Sequence, residues 1–297
     1  NSINLRDGKL KFSIGPDKPT FIIAELSANH NQSFDIAAKT IKAAKKSGAD
    51  AIKLQTYTAD TITINSNNKY FQIKNGLWKG RSLYDLYKEA SMPWEWQLKL
   101  KKIANELGLI CFSSPFDNTA VDFLERLEMP AYKIASAEIT DLPLIQYVAS
   151  MGKPIFISTG IASLDDIIAA VEACREEKNN QIIILKCTSA YPAPVEEANL
   201  KLIPDLAERF NLITGLSDHT LGISTPIASV ALGACVIEKH FIIDKNIDGP
   251  DTPFSLDPSE FKSMVDGVRD TEKSLGVVDY GLTDIAMDAR KFSRSLF

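Results

Sequence analysis

Short apolar runs alternate with longer segments of helical spacing over most of the chain. Each run has three or four residues and few polar interruptions, which is typical of parallel strands that are covered on both faces. The eight runs are residues 21–24, 51–54, 109–112, 132–135, 155–157, 182–185, 212–215 and 235–238. Eight strands, each followed by a helix, predict a closed (β/α)8 barrel of the TIM type, with an open doubly wound sheet as the alternative.

Two of the segments that follow these runs carry clear signals for the start of a helix. Ser163 stands before an apolar stripe as a candidate N-cap, because its hydroxyl can accept a backbone N–H of the first turn. Asp257 is followed by Pro258 and, three residues after the cap, by Glu260, which is the pattern of a capping box. Both segments are therefore predicted helices.

Two other segments stand outside this alternation. Residues 1–16 are predicted to form a short N-terminal β-hairpin that turns at Asp7-Gly8. Residues 57–93 form a long insertion between the second strand and its helix, and this insertion contains Trp78, Tyr84 and Tyr87. Aromatic residues argue against disorder in so long a connection, so we predict a substrate cover, with a structural flap on the barrel rim as the alternative.

Length, composition and charge limit the class of protein. At 297 residues, with 45% hydrophobic and 24% charged residues, the chain suits one globular barrel over residues 1–297. A formal net charge of −5 without a dense basic patch argues against nucleic acid as a partner. No apolar stretch reaches the roughly 18 residues of a membrane helix and no secretory signal is present, so we expect no membrane partner.

The cysteine pattern bears on the cellular compartment. The four cysteines are Cys111, Cys174, Cys187 and Cys235, and no two of them form a C-x-x-C pair. Buried free thiols are typical of proteins in a reducing compartment, so a cytoplasmic location is expected.

Polar side chains lie at or just after the end of every apolar run. The residues concerned include Glu25, Lys53, Gln55, Ser114, Lys133, Ser136, Ser158, Lys186, Ser189, Ser217, His219, Glu238 and His240. The active site of a (β/α)8 barrel is built where its strands end, so these side chains are expected to meet at one mouth. Buried charges are costly unless they are paired or used, so the pattern predicts an active site.

The residue types indicate the chemistry of this site. Lysines interleaved with hydroxyl groups suit a ligand that carries phosphate and carboxylate, although any one lysine could equally belong to a structural ion pair. His219 and His240 follow neighbouring strands and could bind one divalent metal ion from two sides, whereas a single histidine is more often structural.

At this point the sequence resembles the sialic acid synthase family, and its pseudaminic acid synthase branch in particular. The motifs occur in the order of the family over nearly the whole chain. The matching stretches are FIIAELSANH (21–30), ADAIKLQ (49–55), SSPF (113–116), YKIAS (132–136), STG (158–160), GLSDHT (215–220), EKHF (238–241) and GPD (249–251).

The resemblance implies a barrel enzyme that condenses phosphoenolpyruvate with an N-acetylated sugar aldehyde and releases phosphate. It implies a divalent metal ion, with Mn²⁺ as the first choice and Mg²⁺ or Co²⁺ as substitutes. By position, the catalytic residues would be Glu25, Lys53, Lys133, His219 and His240, with His219 and His240 as the metal ligands; phosphoenolpyruvate would be bound by Lys53, Ser114, Lys133, Ser136, Ser158, Ser189 and Ser217, and the sugar by Gln55, Tyr191 and Asp251.

The chain departs from the family pattern in two respects, one at residue 189 and one at its carboxyl end. Ser189 stands where the sialic acid branch usually has Asn, which favours the pseudaminic branch over N-acetylneuraminate or legionaminate synthases. Family members usually continue into a small antifreeze-like domain and form homodimers. Residues 283–297 are expected to be the start of the linker to that domain, and we expect a homodimer for the full-length protein.

Two rival functions remain open from the residues alone. A Schiff-base aldolase could use Lys133 or Lys186 as its nucleophile, since the same fold supports that chemistry. The other rival is a sugar-binding barrel without catalytic activity.

Overall fold

Eight parallel strands close into a barrel in the computed structural model, which describes residues 2–293 and 295. Two further strands, β1 (Ile3–Asp7) and β2 (Leu10–Ile14), form an antiparallel hairpin before the barrel. The barrel strands are β3 (Phe21–Glu25), β4 (Ala51–Thr56), β5 (Ile110–Pro115), β6 (Tyr132–Ile134), β7 (Ile155–Ser158), β8 (Ile182–Cys187), β9 (Ile213–Asp218) and β10 (Val236–His240). The last eight pair in the order β10-β3-β4-β5-β6-β7-β8-β9. The barrel and hairpin predictions are confirmed, and the open-sheet alternative is wrong.

At least one helix follows each strand of the barrel. They are α1 (Phe34–Lys46), α2 (Ala59–Ile62), α3 (Leu83–Ala90), α4 (Trp94–Glu106), α5 (Asn118–Arg126), α6 (Leu142–Ser150), α7 (Leu164–Glu176), α8 (Leu202–Phe210), α9 (Ser224–Ala231), α10 (Pro258–Leu275) and α11 (Asp284–Arg290). Ser163 caps α7 and Asp257 caps α10, each within a capping box. Both predicted helix starts are therefore confirmed.

The apolar core has two parts, divided by the barrel wall. Outward-facing strand residues such as Ile22 pack beneath the surrounding helices. The interior is filled by inward-facing residues, among them Phe112 and Phe156, whose rings stack with centroids 5.1 Å apart. Leu5 and Ile14 of the hairpin join this inner cluster and are fully buried. The hairpin therefore packs against the apolar interior and leaves the polar end of the barrel for a site.

The strands are longer than the apolar runs that predicted them. Seven of the eight barrel strands run one to three residues past the predicted end, and β6 is the exception. The additional residues include Glu25, Gln55, Ser114, Ser217 and His240. They are polar because they face the open end of the barrel, yet their backbones still pair with the neighbouring strands.

The insertion at residues 57–93 is folded against the mouth of the barrel. It contains α2, α3 and a 3-10 turn at Lys69–Phe71. Its attachment to the rest of the chain includes a hydrogen bond of 3.1 Å from Trp78 Nε1 to the carbonyl oxygen of Pro250. Tyr57 packs edge-on against Phe116, with ring centroids 5.1 Å apart. The insertion therefore forms part of the wall of the mouth.

Near the carboxyl end, α11 has no buried residues. The predicted linker covers residues 283–297, of which Arg294, Leu296 and Phe297 lie outside the described residues. Within the described part of the chain, no helix combines the length and apolar character needed to cross a membrane.

Candidate active site

Four charged side chains form an ion-paired network inside the carboxyl-terminal end of the barrel. Lys53 Nζ lies 2.7 Å from Glu25 Oε2 and 3.6 Å from Glu238 Oε1. Lys133 Nζ lies 3.2 Å from the same Glu238 oxygen, which also accepts a hydrogen bond of 3.0 Å from the Ser217 hydroxyl. We call Glu25, Lys53, Lys133 and Glu238 the charged tetrad. All four of its side chains are buried.

Strand geometry explains why these residues meet. Successive side chains of a strand point to opposite faces of the sheet, so residues two apart share a face. Ile23 and Val236 belong to the inner apolar cluster, and therefore Glu25, Glu238 and His240 also face the interior. The apolar interior thus changes to a charged layer one step nearer the mouth.

Polar neighbours complete the surroundings of the tetrad. Lys53 Nζ donates a hydrogen bond of 3.3 Å to Ser114 Oγ. Gln55 Nε2 donates to Glu25 Oε1 at 3.1 Å and to Ser27 Oγ at 3.0 Å. Ser27 is a site residue that the sequence analysis did not name.

The two carboxyl groups of the tetrad differ in proton affinity. Burial raises the pKa of Glu25 to about 7, although the Lys53 ammonium group opposes this shift. Burial acts in the same direction on Glu238, but Lys133 and Lys53 outweigh it and hold the pKa of Glu238 at about 2. Near neutral pH, Glu238 is therefore a carboxylate, whereas Glu25 can either accept or donate a proton.

The raised pKa of Glu25 predicts a specific dependence of stability on pH. The folded state keeps the Glu25 proton up to about pH 7, whereas the ordinary pKa is 4.5, so wild type should lose stability as the pH rises through this window. Glu25→Gln removes this ionisation. We expect the difference in unfolding free energy, wild type minus variant, to fall by at most about 3 kcal/mol between pH 4.5 and 7.

Melting temperatures of both proteins, measured by calorimetry at intervals of pH, would check this prediction. Glu172→Gln, at an exposed position of α7, is the matched control for loss of one carboxylate. A wild-type-minus-Glu25→Gln difference that stays constant over the window would contradict the proton affinity assigned to Glu25.

Hydroxyl groups and one glycine form a small cradle near the ends of β6, β7 and β8. Gly160 donates its backbone N–H to Ser136 Oγ at 3.1 Å. A Cβ atom at Gly160 would lie 2.2 Å from Ser189 Oγ and 2.7 Å from Ser136 Oγ, so only glycine fits without displacing the hydroxyls. The hydroxyl oxygens of Ser158 and Ser189 are buried and have no hydrogen-bond partner among the described residues. They are therefore available to a ligand.

His219 and His240 lie together at the mouth, with ring centroids 5.3 Å apart. The Nδ1 atom of His219 lies 2.9 Å from the carbonyl oxygen of Thr188. Because a carbonyl oxygen can only accept a hydrogen bond, this nitrogen carries a proton, and Nε2 keeps a free lone pair in the neutral imidazole. Burial acts to lower the pKa of His219, but the neighbouring Cys187 outweighs it and raises that pKa above its ordinary value, so a metal would bind in competition with a proton. Burial holds the pKa of His240 well below its ordinary value, so its imidazole is neutral.

These two imidazoles fit the requirements of a divalent metal ion in part. The Nδ1 atom of His240 is buried without a hydrogen-bond partner in the described part of the chain, and Asp251 Oδ2 lies 3.7 Å from it. Among the described residues there is no group of three or more His, Cys, Asp or Glu side chains placed to hold a metal. A metal bound to His219 and His240 would therefore need oxygen ligands from substrate or water.

A cavity of about 510 Å³ lies at the mouth of the barrel, next to His240 and the hydroxyl cradle. Gln55, Ser136, Ser189, Tyr191, His240 and Asp251 line it together with apolar and aromatic residues of the insertion, which are Tyr57, Ile62, Ile73, Trp78, Leu83, Leu86 and Tyr87. The Tyr191 ring lies against His219, with centroids 4.4 Å apart. Polar groups thus line the cavity floor, and the insertion contributes an apolar wall.

One predicted site residue lies elsewhere. Lys186 lies between the inward-facing Leu185 and Cys187 on β8, so its side chain points outward. Its ammonium group donates to the Cys187 carbonyl oxygen at 2.6 Å and to Thr188 Oγ1 at 2.9 Å. The expectation that every strand-end residue faces the mouth is therefore wrong for Lys186, and so is the version of the aldolase hypothesis that used it.

The structure also adds residues to which the sequence analysis gave no role. Glu238 is the anion shared by both lysines of the tetrad, and its position two residues before His240 was the available signal. Glu138 lines the cavity, and its Oε2 atom is buried without a partner among the described residues. Burial raises the pKa of Glu138 to about 7. Glu138 follows Ser136 by two residues, but it lies in a 3-10 turn to which the strand rule does not apply.

The charged tetrad, the hydroxyl cradle and the paired imidazoles lie at one mouth of the barrel, which is where enzymes of this fold have their active sites. The chain belongs to the NeuB family, whose family model matches residues 40–280. The resemblance to sialic acid synthases is thereby confirmed.

Particular relatives are more specific. A pseudaminic acid synthase of Campylobacter jejuni subsp. jejuni serotype O:23/36 (strain 81-176) is 51% identical over 281 residues, which cover 95% of this chain and 82% of that protein. An N,N'-diacetyllegionaminic acid synthase of Legionella pneumophila is 41% identical over 88% of this chain and 75% of that protein. The crystal structure of N-acetylneuraminic acid synthetase from Leptospira borgpetersenii matches with a TM-score of 0.84 and 30% identity, covering 99% of this chain and 98% of that one.

Proposed function

We propose that this chain joins phosphoenolpyruvate to a 2-acetamido or diacetamido sugar aldehyde and releases phosphate, as a synthase of pseudaminic acid. The observation that carries the proposal is the arrangement at the mouth. Two buried lysines and unpartnered hydroxyl groups lie beneath a cavity with an apolar wall. This combination suits an anion with two acidic groups next to a sugar that carries methyl groups. The identity of 51% to a pseudaminic acid synthase supports the same reaction.

We assign phosphoenolpyruvate to the charged floor beneath the cavity. Its carboxylate and phosphate require cations, and Lys53 and Lys133 supply them within one buried layer. The Ser217 hydroxyl, which donates to Glu238, lies in the same layer. The free hydroxyls of Ser158 and Ser189 are the groups we assign to phosphate. Such preorganised donors need no rearrangement during the reaction, so they stabilise charge effectively where water is excluded.

The overall reaction consumes phosphoenolpyruvate, the aldehyde and one water molecule. The methylene carbon of phosphoenolpyruvate forms a bond to the aldehyde carbon, and the aldehyde oxygen gains a proton to become a hydroxyl. Water adds to the carbon that bears the phosphate and loses a proton, and the carbon–oxygen bond to phosphate then breaks as the new hydroxyl passes its remaining proton to the departing phosphate and becomes the keto oxygen. One proton is gained and one is lost. A single carboxyl group with a pKa of about 7 can carry both, and we assign this role to Glu25.

His219 and His240 are the residues that would hold a divalent metal ion. The free lone pair of His219 and the unpartnered Nδ1 atom of His240 support this assignment. When bound, the metal would polarise the aldehyde oxygen as a Lewis acid. Imidazole ligands combined with oxygen ligands favour Mn²⁺, with Mg²⁺ or Co²⁺ as substitutes.

Phosphate release tests the proposed function directly. The enzyme is incubated with phosphoenolpyruvate, Mn²⁺ and one sugar at a time, namely N-acetylmannosamine and a series of diacetamido hexoses. We expect release only with a diacetamido hexose that yields pseudaminic acid, as identified by mass spectrometry. Release with the precursor of legionaminic acid alone would replace the substrate assignment. Sugar binding without phosphate release for every sugar would favour the non-catalytic barrel.

Trp78 is predicted to hold the sugar side of the cavity in shape. Its Nε1–H donates to the carbonyl oxygen of Pro250 at 3.1 Å, and Pro250 directly precedes Asp251, which lines the cavity. Trp78→Phe keeps an aromatic ring and loses this bond. We expect KM for the sugar to rise about 3- to 10-fold, with KM for phosphoenolpyruvate unchanged.

Steady-state kinetics with each substrate varied in turn would check the Trp78 prediction. Trp96→Phe is the control, because that indole packs against Phe34 and does not line the cavity. Equal changes in both KM values for Trp78→Phe would contradict a role confined to the sugar side.

A further inference from the structure

A buried ion pair lies in the barrel wall directly beside the two histidines. Lys239 is completely buried, and its Nζ atom lies 2.5 Å from Oδ2 of Asp218. Each residue immediately precedes one of the histidines, Lys239 before His240 and Asp218 before His219. Because side chains alternate along a strand, Lys239 points away from the interior that His240 faces. The pair therefore cannot act on a substrate directly.

Hydrogen bonds join this pair to the backbone of Thr220, the residue after His219, while Asp218 is itself the residue before it. The Lys239 ammonium group also donates to the carbonyl oxygen of Thr220. Asp218 in turn accepts from the Thr220 backbone N–H at 3.1 Å and from its hydroxyl at 3.1 Å. The residue before His219 and the residue after it are thus both bonded to the side chain that precedes His240.

The location of the pair explains why such bonds are needed. Asp218 and Lys239 are the last residues paired between β9 and β10, and His219 follows immediately after the end of β9. Past this pair of residues, no strand pairing between β9 and β10 fixes the distance between the two segments that carry His219 and His240. A buried ion pair is weak evidence of stabilisation, because desolvation offsets the attraction, and its best-attested use is to specify geometry.

We infer that Lys239 and Asp218 are positioning residues that hold His219 and His240 at the spacing needed to bind one divalent metal ion. The inference rests on the proposed function, since it deepens the assignment of these two histidines as ligands. Partners of metal-ligating residues commonly affect metal affinity by 10- to 100-fold without touching the metal. Here the partners act through the backbone on both sides of His219 and not through the imidazole nitrogens.

The test is the affinity for Mn²⁺, measured by calorimetry well below the melting temperature. The double variant Lys239→Met/Asp218→Asn removes both charges and keeps the side chains close to their original size, so we expect it to fold. We expect its affinity for Mn²⁺ to fall by about 10- to 100-fold. The single variant Asp218→Asn leaves the buried Lys239 ammonium group without its anion, so it should lose affinity by at least as large a factor.

Two controls separate this effect from a general loss of structure. Lys101→Met/Asp7→Asn removes another ion pair, whose Asp7 is buried in the hairpin and whose Lys101 is partly exposed, and its affinity for Mn²⁺ should match wild type. His240→Ala should abolish Mn²⁺ binding. If His240→Ala abolishes binding while both Asp218 variants bind Mn²⁺ within twofold of wild type, the positioning role is overturned and the metal assignment stands. If wild type binds no Mn²⁺, Mg²⁺ or Co²⁺, both fail together.

Discussion

Replacing Lys53 with Met is expected to reduce kcat/KM for phosphoenolpyruvate by about 10³-fold and to destabilise the fold. The ammonium group of Lys53 lies between two buried carboxyl groups, 2.7 Å from Glu25 and 3.6 Å from Glu238. Hydrogen bonds to charged groups contribute about 1.5–3 kcal/mol each, so the loss of two contacts with a bound anion accounts for the kinetic effect. Removing one member of a buried ion pair typically costs about 3–5 kcal/mol of unfolding free energy.

A second variant separates the role of Lys53 in binding phosphoenolpyruvate from its role in stability. In Lys53→Met/Glu25→Gln the carboxylate that lost its partner is itself removed, while Gln55 still has an oxygen acceptor at position 25. We expect most of the lost stability to return and the affinity for phosphoenolpyruvate, measured by calorimetric titration, to stay low because the ligand still lacks a cation; binding is the readout because Glu25→Gln removes the proton carrier as well. Recovery of both would indicate that Lys53 serves folding alone.

Lys101→Met is the matched control for the Lys53 experiment. Lys101 forms an ion pair with Asp7, which is fully buried and also accepts from Asn105 Nδ2 at 2.7 Å. The variant should therefore lose stability by a similar mechanism. Its kcat/KM per folded molecule should match wild type, because the pair belongs to the hairpin and α4 and not to the mouth of the barrel. Denaturant titration and phosphate-release kinetics on the same samples measure both quantities.

Local patterns were sufficient to predict the barrel. An apolar run such as residues 182–185 reflects burial on both faces, and a cap such as Ser163 acts within one helical turn, so both signals lie in neighbouring residues. The ends of the strands were harder to predict. The polarity that marks the mouth looks like the start of a loop, and β9 in fact continues to Asp218.

The direction of each side chain and the long-range contacts account for the remaining errors. Lys186 directly follows one apolar run and Glu238 ends another, but their side chains lie on opposite faces of their strands, and only the exact register separates them. The bond between Trp78 and Pro250 joins residues 172 positions apart, and no local pattern indicates it. The charged tetrad itself was foreseeable as a set of residue types at the mouth, but not as a specific pairing.

Replacing Gly160 with Ala is expected to weaken phosphoenolpyruvate binding by about 10²-fold with little effect on folding. The added Cβ atom would lie 2.2 Å from Ser189 Oγ and 2.7 Å from Ser136 Oγ, so both hydroxyls must move. Two displaced hydroxyl contacts to the charged groups of phosphoenolpyruvate, at about 1.5 kcal/mol each, give a loss of this size. Ser189→Ala removes one hydroxyl without adding volume, so its loss should be nearer 10-fold.

The double variant Gly160→Ala/Ser189→Gly distinguishes a filled cradle from a distorted backbone. It removes the hydroxyl that the new methyl group would meet first, at 2.2 Å, so only the contact of 2.7 Å with Ser136 Oγ remains to be relieved and the cradle needs to move less. We expect phosphoenolpyruvate to bind more tightly to the double variant than to Gly160→Ala alone, even though the double variant has lost one hydroxyl group. Calorimetric titration with phosphoenolpyruvate would measure this order. If both variants bind equally weakly, Gly160 acts through the loop after β7; if Gly160→Ala binds like wild type, phosphate lies elsewhere in the mouth.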